Sequence, residues 1–272
     1  MQEDAASNTN ASELSAAQDL RVWLDRVEAL GELKRVSGAH WNLELGCITE
    51  VNNRQCGPCL VFDDIVDYPG FRIVTGSTGS PARLAATLRL PTGFSTPQLV
   101  EVLRGKSHEW SAQAKEFPPH YVDSGPILEN VTSGKNVNLF DLPAPFCNDR
   151  DGGRFLGTAD AVVTKDLDSD WINVGTYRMM VHDERTCGLY LAPNHHGRVH
   201  MERYHQAGKP FPVIASLGHD PLLFLYAGVE LPTGMSEYNY VGAVMGEPAK
   251  VIRGEITGLP MPAGAESVLE GF

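Results

Sequence analysis

Residues 171–180, WINVGTYRMM, contain the pattern that decides the fold of this chain. Residue types alternate along the stretch, which places Asn173, Gly175 and Tyr177 on one predicted face and Arg178 on the other. Apolar residues flank the run, so a strand that is simply exposed to solvent is disfavoured. An arginine in such a place usually has a carboxylate or phosphate partner. The stretch therefore predicts a β-strand that contributes polar side chains to a site.

Further short β-type runs surround this strand in the second half of the chain. The predicted strands are 159–164, 171–180, 189–191, 213–217, 241–245 and 251–256. Helices are predicted only at about 198–207 and 221–226. Many short strands separated by glycine and proline favour a small barrel over a doubly wound parallel sheet.

The first half of the chain mixes helices and strands. Ser15 and Gln18 have the spacing of a capping box, and the apolar residues that follow predict a helix through Leu33, ended near Gly38. Strands are predicted at 60–62 and 71–74, and helices at 81–88 and 96–103.

These patterns give an α+β fold class and three segments. Residues 1–15 are small and polar and predict a disordered tail. Residues 16–125 predict an N-terminal α/β domain, and residues 126–272 a strand-rich second domain.

The charge balance excludes some functions. The chain has 22 Lys and Arg against 34 Asp and Glu, a net charge of −12, which disfavours nucleic-acid binding. An anionic ligand must then be held by local groups such as an arginine, a metal or backbone N–H groups. No run approaches the ~20 apolar residues of a membrane span, and the N-terminus lacks signal-peptide features, so we expect a cytoplasmic protein.

The five cysteines include a CGPC sequence at Cys56 to Cys59, as in thioredoxins. An odd count without a signal peptide favours reduced thiols. The redox motif requires a strand before it and a helix beginning at its first cysteine. Here polar residues precede the motif and a strand-like run follows it, so a turn leading into a strand is favoured.

One group of polar residues has the chemistry of a metal site. An asparagine carbonyl, an imidazole and a carboxylate suit Mn²⁺ or Mg²⁺, and Asn173, His195 or His196, and Glu237 supply them. HExxH, Walker A, GxGxxG and GxSxG motifs are absent, which removes the usual support for zincins, P-loop enzymes, Rossmann dehydrogenases and serine hydrolases.

Several separated stretches, in order, resemble the UbiD family of reversible (de)carboxylases that use prenylated FMN. They are DGGRFLGTA at 151–159, INVGTYR at 172–178, GLYLAPNH at 188–195 and SEY at 236–238, with further similarity at 19–35 and 59–72. The resemblance implies a split β-barrel of the flavin-reductase-like type after the N-terminal α/β segment. It also implies decarboxylation of an aromatic or α,β-unsaturated acid.

The resemblance also implies roles for individual residues. Asn173, His195 and Glu237 would bind Mn²⁺ or a similar divalent ion, with His196 as the alternative imidazole and a K⁺ ion nearby. Arg178 would pair with the substrate carboxylate. The residues placed along the cofactor are Thr158, Asn173, Thr176, Tyr177, Arg178, Asn194, His195 and Glu237.

Two expectations concern the rest of the protein. The family's proton-donating Glu and a second Glu belong to an EGPFGE segment that would follow the last residues here. Either a fragment of a longer enzyme or a truncated relative with impaired catalysis would lack that pair and the C-terminal domain, and we favour the fragment. The complete protein is expected to be a homo-oligomer supplied by an FMN prenyltransferase. The alternative is a non-catalytic module that binds flavin phosphate and metal.

Overall fold

The computed structural model describes residues 18–272, so the predicted tail and Ser15 of the capping box lie outside the described residues. Helix α1 (Leu20–Ala29) begins after Asp19, whose carboxylate accepts a hydrogen bond from the Val22 backbone N–H at 2.8 Å. Gly31 follows with φ +71°, a left-handed conformation that ends the helix. The predicted extension through Leu33 is therefore wrong.

A three-stranded sheet forms the centre of the N-terminal unit. Strand β1 (Leu33–Ser37) pairs in parallel with β2 (Cys59–Asp63), and β3 (Ile73–Thr75) pairs antiparallel with β2. The crossover between β1 and β2 contains α2 (Glu44–Arg54), which the sequence patterns did not predict. The helices that follow are α3 (Pro81–Thr87), α4 (Thr96–Leu103) and α5 (Lys106–Gln113). The first two confirm their predictions, whereas α5 was not predicted.

The CGPC sequence forms a turn that leads into β2, as predicted. Helix α2 ends before Cys56, so no helix begins at the first cysteine of the motif. Cys59 is buried in β2, and burial raises the pKa of its thiol to about 11. A redox motif instead has a helix that begins at its first cysteine and lowers the pKa of that thiol.

The second unit contains most of the strands, arranged as one four-stranded and two three-stranded sheets. The four-stranded sheet has the order β13-β10-β6-β7, and the others are β12-β11-β4 and β5-β8-β9. Their bounds are β4 (His120–Tyr121), β5 (Phe155–Gly157), β6 (Ala161–Lys165), β7 (Ile172–Gly175), β8 (Met179–Val181), β9 (Cys187–Leu189), β10 (Val213–Leu217), β11 (Lys250–Arg253), β12 (Pro260–Pro262) and β13 (Ser267–Gly271). Within residues 18–272 none of these sheets closes on itself, so the α+β class is confirmed and the split barrel stays a prediction.

Three α-helices pack around these sheets: α6 (His196–Gln206), α7 (Pro221–Ala227) and α8 (Glu237–Met245). The predicted strand at 241–245 is wrong, because these residues are the end of α8. The predicted strand 171–180 is broken after Gly175. The Thr176 and Tyr177 N–H groups leave the sheet there and donate to the Ala227 carbonyl and the Asp160 carboxylate.

Arg154 joins the two units. Its guanidinium lies 4.1 Å from the centre of the Trp41 ring, also faces the Tyr68 and Phe140 rings, and donates to the Tyr68 hydroxyl and to the Ala144 carbonyl at 2.7 Å. Arg154 directly precedes β5, so this contact lies at the start of that strand. None of the helices within residues 18–272 has the length and apolar character needed to span a bilayer.

Candidate functional site

Tyr177 lies at the centre of the polar cluster that β7 contributes. A Cβ atom at Gly175 would lie 2.5 Å from the Tyr177 ring, and one at Gly197 would lie 2.9 Å from its hydroxyl oxygen. Only glycine leaves room for the ring at these two positions. The Tyr177 hydroxyl accepts a hydrogen bond from the Gly197 N–H at 3.2 Å, which ties the loop after β7 to the first turn of α6.

Asn173 is buried on β7 and presents its amide in a defined orientation. Its Nδ2 donates to Thr164 Oγ1 at 3.2 Å and to the Tyr177 hydroxyl at 3.4 Å. The amide oxygen Oδ1 accepts no hydrogen bond from another described residue. Oδ1 is also the atom of this side chain that can bind a hard cation.

Glu237 places a carboxylate beside the same strand. It is the first residue of α8 and is 2% exposed, and its Oε2 accepts a hydrogen bond from the Val174 N–H at 2.6 Å. Burial raises the pKa of this carboxyl to about 8. Within residues 18–272 no lysine or arginine forms an ion pair with it. A buried carboxylate without a counter-charge is costly, and a bound cation would remove that cost.

The two adjacent histidines face different rings. His195 precedes α6 and is exposed, and its ring centre lies 6.2 Å from that of Tyr177. His196 packs edge-on against Trp171 at 4.8 Å, and burial lowers the pKa of its imidazole. Of the two imidazoles predicted as ligands, His195 is therefore the one beside the Tyr177 cluster.

The remaining predicted site residues lie at the ends of neighbouring strands. The antiparallel pairing of Gly157 with Met179 brings Thr158 beside Arg178, and both side chains are exposed. Asn194 is exposed with φ +69° directly before His195. Thr176 is half-buried, and its N–H donates to the Ala227 carbonyl at 3.0 Å.

Sequence reasoning missed two buried titratable residues here. Asp160 has one carboxylate oxygen that accepts the Tyr177 N–H at 3.2 Å and one without a partner, and burial raises its pKa to about 7. His200 on α6 is fully buried, with Nδ1 3.0 Å from Thr164 Oγ1. The available signals were a charged residue at the start of an apolar strand and a histidine one helical turn after His196.

Comparison with known proteins gives the family. The model of the 3-octaprenyl-4-hydroxybenzoate carboxy-lyase Rift-related domain matches residues 120–272, and that of the N-terminal domain matches residues 24–103. The chain belongs to the UbiD family. The first match covers more than half of the chain, and the two together include both structural units.

Individual UbiD relatives agree with this assignment. Pyrrole-2-carboxylic acid decarboxylase of Pseudomonas aeruginosa is 34% identical over 94% of this chain and 52% of its own. Vanillic acid decarboxylase of Sedimentibacter hydroxybenzoicus, in its closed form, superposes with a TM-score of 0.84 at 30% identity, over 94% of this chain and 55% of that one. The UbiD-class enzyme HmfF of Pelotomaculum thermopropionicum, solved with prenylated FMN, gives a TM-score of 0.82 at 26% identity, over 94% and 57%. The chain spans about half the length of the curated relatives it matches.

The donor set fits a hard divalent cation in its chemistry. Within residues 18–272 no three His, Cys, Asp or Glu side chains are grouped for a metal ion, so any site here must include an amide or other oxygen. Asn173 Oδ1, without a hydrogen-bond partner, is such an oxygen, and the carboxylate of Glu237 lies against the next residue, Val174. These groups suit Mn²⁺ or Mg²⁺ better than structural zinc.

Proposed function

We propose that the complete protein is a UbiD-type decarboxylase that acts reversibly and non-oxidatively on an aromatic or α,β-unsaturated carboxylic acid, using prenylated FMN. The observation that carries this proposal is the buried Glu237 carboxylate, which lacks a counter-charge and lies beside Asn173 in a chain of the UbiD family. The named relatives, which act on pyrrole-2-carboxylic and vanillic acids, support an aromatic or heteroaromatic substrate.

Asn173, His195 and Glu237 are the proposed ligands of Mn²⁺ or a similar divalent ion, with K⁺ nearby. The side-chain orientations support this set, since His195 rather than His196 faces Tyr177. In a chain of net charge −12, these cations would supply the positive charge that a flavin phosphate needs. Thr158, Thr176, Tyr177, Arg178 and Asn194 are proposed to line the cofactor together with the three metal ligands.

Prenylated FMN, when bound, supplies an electron sink for the electron pair left as the C–CO₂ bond breaks. Arg178 is exposed, and within the described residues its guanidinium forms no ion pair, so it is available to hold the substrate carboxylate by charge-assisted hydrogen bonds. We assign the return of a proton to the product carbon to a Glu pair in the part of the protein outside these 272 residues.

Three further parts of the proposal concern the complete protein. An FMN prenyltransferase supplies the cofactor, and the protein works as a homo-oligomer in the cytoplasm. Its second domain forms the split barrel that the family resemblance implies, with the present sheets as part of it.

The cofactor part of the proposal is tested on the chain itself. The chain is co-expressed with an FMN prenyltransferase in medium with Mn²⁺, and retained flavin and manganese are measured by mass spectrometry and metal analysis. Glu237→Ala and Asn173→Ala should lose both, whereas Glu202→Gln, which changes an exposed carboxylate on α6, should retain both. His195→Ala should reduce manganese more than His196→Ala. Retention in Glu237→Ala equal to that of the unsubstituted chain would refute the site.

The catalytic part requires the complete protein. CO₂ release is measured from a panel of aromatic and cinnamic-type acids, with Arg178→Gln compared against the unsubstituted enzyme. The variant should lose activity and keep most of its flavin, because it removes the partner of the substrate carboxylate and leaves the three proposed metal ligands unchanged. Retained flavin with no CO₂ release from any acid in the unsubstituted protein would favour a non-catalytic binding module instead.

A further inference from the structure

Asn173, Thr164 and His200 are three buried side chains that form a continuous hydrogen-bonded chain. Thr164 on β6 lies directly opposite Asn173 on β7 in the sheet register, and His200 on α6 reaches Thr164 from the other side. Thr164 and His200 are 0% exposed and Asn173 is 3% exposed. Water therefore does not compete for these hydrogen bonds, and each polar atom has only the partners that the fold provides.

The hydrogens in this chain can be assigned from the partners present. Nδ2 of Asn173 only donates, so Thr164 Oγ1 accepts from it. The remaining neighbour of the Thr164 hydroxyl within the described residues is His200 Nδ1, so the hydroxyl donates to that nitrogen. A neutral imidazole whose Nδ1 accepts must carry its proton on Nε2.

Trp171 packs against the His200 imidazole and forms no hydrogen bond with it. The indole and the His200 imidazole are perpendicular, at 88°, with their centres 4.6 Å apart. Nε2 of His200 is buried and has no polar partner in the described part of the chain. The hydrogen bond at Nδ1 is therefore the one that decides the tautomer, and with the Thr164 hydroxyl as its donor the proton is on Nε2. Burial also lowers the pKa of His200 to about 4, which keeps the imidazole neutral near pH 7.

The opposite orientation of the Asn173 amide would reverse the direction of both hydrogen bonds of the Thr164 hydroxyl. With Oδ1 turned toward Thr164, the hydroxyl would donate to Asn173 and would have to accept from His200 Nδ1–H. That tautomer would carry the proton on Nδ1 and leave Nε2 without one. The tautomer of His200 and the orientation of the Asn173 amide are therefore coupled through Thr164.

We propose that Thr164 and His200 are positioning residues that lock the Asn173 amide with its oxygen toward the site. The inference deepens the proposed function and rests on it, because it assumes that this oxygen receives a cation. Partners that orient metal ligands in this way typically contribute about 10- to 100-fold to metal affinity.

The test combines two measurements on the intact chain. Long-range ¹⁵N–¹H NMR reports the His200 tautomer without any metal, and the electron paramagnetic resonance signal of free Mn²⁺ gives the Mn²⁺ dissociation constant. Thr164→Val keeps the shape of the side chain and removes the hydroxyl, whereas Thr164→Ser keeps the hydroxyl. Thr87→Val is the matched control, because Thr87 is also fully buried and hydrogen-bonded, to Trp23 in the N-terminal unit.

We expect the Nε2–H tautomer in the unsubstituted chain. Thr164→Val should weaken Mn²⁺ binding about 10- to 100-fold, and Thr164→Ser and Thr87→Val should bind Mn²⁺ as the unsubstituted chain does. An Nδ1–H tautomer, or equal Mn²⁺ affinity in Thr164→Val and Thr87→Val, would overturn the inference. Failure of the proposed function would give a different result, because Asn173→Ala would then bind Mn²⁺ as the unsubstituted chain does. The His200 tautomer would still report the orientation of the Asn173 amide in that case.

Discussion

Replacing Glu237 by glutamine should change how the stability of the metal-free chain depends on pH. Burial raises the pKa of Glu237 from its ordinary 4.5 to about 8, so the folded chain binds this proton more tightly than the unfolded chain. This difference in proton binding contributes unfolding free energy that is fully present below pH 4.5 and is lost as the pH rises through about 8. Glutamine is neutral throughout this range and can still accept the hydrogen bond from the Val174 N–H.

The size of the effect follows from the pKa difference. Each pKa unit corresponds to about 1.4 kcal/mol, so the shift from 4.5 to about 8 sets a limit of roughly 5 kcal/mol of lost unfolding free energy. Water that reaches the carboxylate through local opening will reduce the measured value. In the metal-free state above pH 8, Glu237→Gln should therefore be more stable than the unsubstituted chain.

Urea unfolding, followed by tryptophan fluorescence from pH 5 to pH 9 with and without Mn²⁺, checks this prediction. Mn²⁺ should restore the stability of the unsubstituted chain at high pH by compensating the carboxylate charge, and should have little effect on Glu237→Gln. Glu202→Gln is the control for the loss of one negative charge at an exposed position. Parallel curves of unfolding free energy against pH for the metal-free unsubstituted chain and metal-free Glu237→Gln would refute the reasoning.

Three other outcomes are expected. Burial lowers the pKa of His219 to about 4, so the contribution of this neutral imidazole to stability is lost as the pH falls from 6.5 to 4. Over that range the unfolding free energy of His219→Gln should fall less than that of the unsubstituted chain, and equal losses would contradict this. Changing Cys56 and Cys59 together to serine should leave flavin retention unchanged, and insulin reduction by the unsubstituted chain that disappears in the variant would contradict the turn assignment. Asp160→Ala should lower the free energy of unfolding in urea by about 1–3 kcal/mol, because it leaves the Tyr177 N–H unpaired. Asp160→Asn should keep most of that free energy, and equal losses in the two variants would contradict the role of this hydrogen bond.

The sequence patterns predicted elements best where an apolar run has clear boundaries. The strand 213–217 has its predicted bounds, since Pro212 precedes it and Gly218, with φ +67°, ends it. The run 241–245 was predicted as a strand because a short apolar stretch has the same composition in a buried helix. It lies in a helix that begins after Ser236 and ends at Gly246, with φ +76°, and most of that helix is buried.

The site was less accessible to sequence reasoning from the residues alone. Asn173 and Glu237 are far apart in sequence. Glu237 reaches Val174, the residue after Asn173, only because the first turn of α8 packs against β7. The family resemblance supplied this pair, and periodicity could not. Asp160 and His200 were missed because their burial depends on how the Tyr177 ring and α6 pack, which a short strand or helix pattern does not contain.

The Arg154 contact has a consequence for chimeric proteins built from members of this family. The guanidinium lies in the second unit but stacks on Trp41 and bonds to Tyr68 in the first, and it directly precedes the strand that leads to Thr158. An N-terminal unit exchanged between relatives without a matching aromatic pair would leave this cation without its partners. The exchanged unit must therefore carry its own aromatic ring and hydroxyl to this contact, directly before β5.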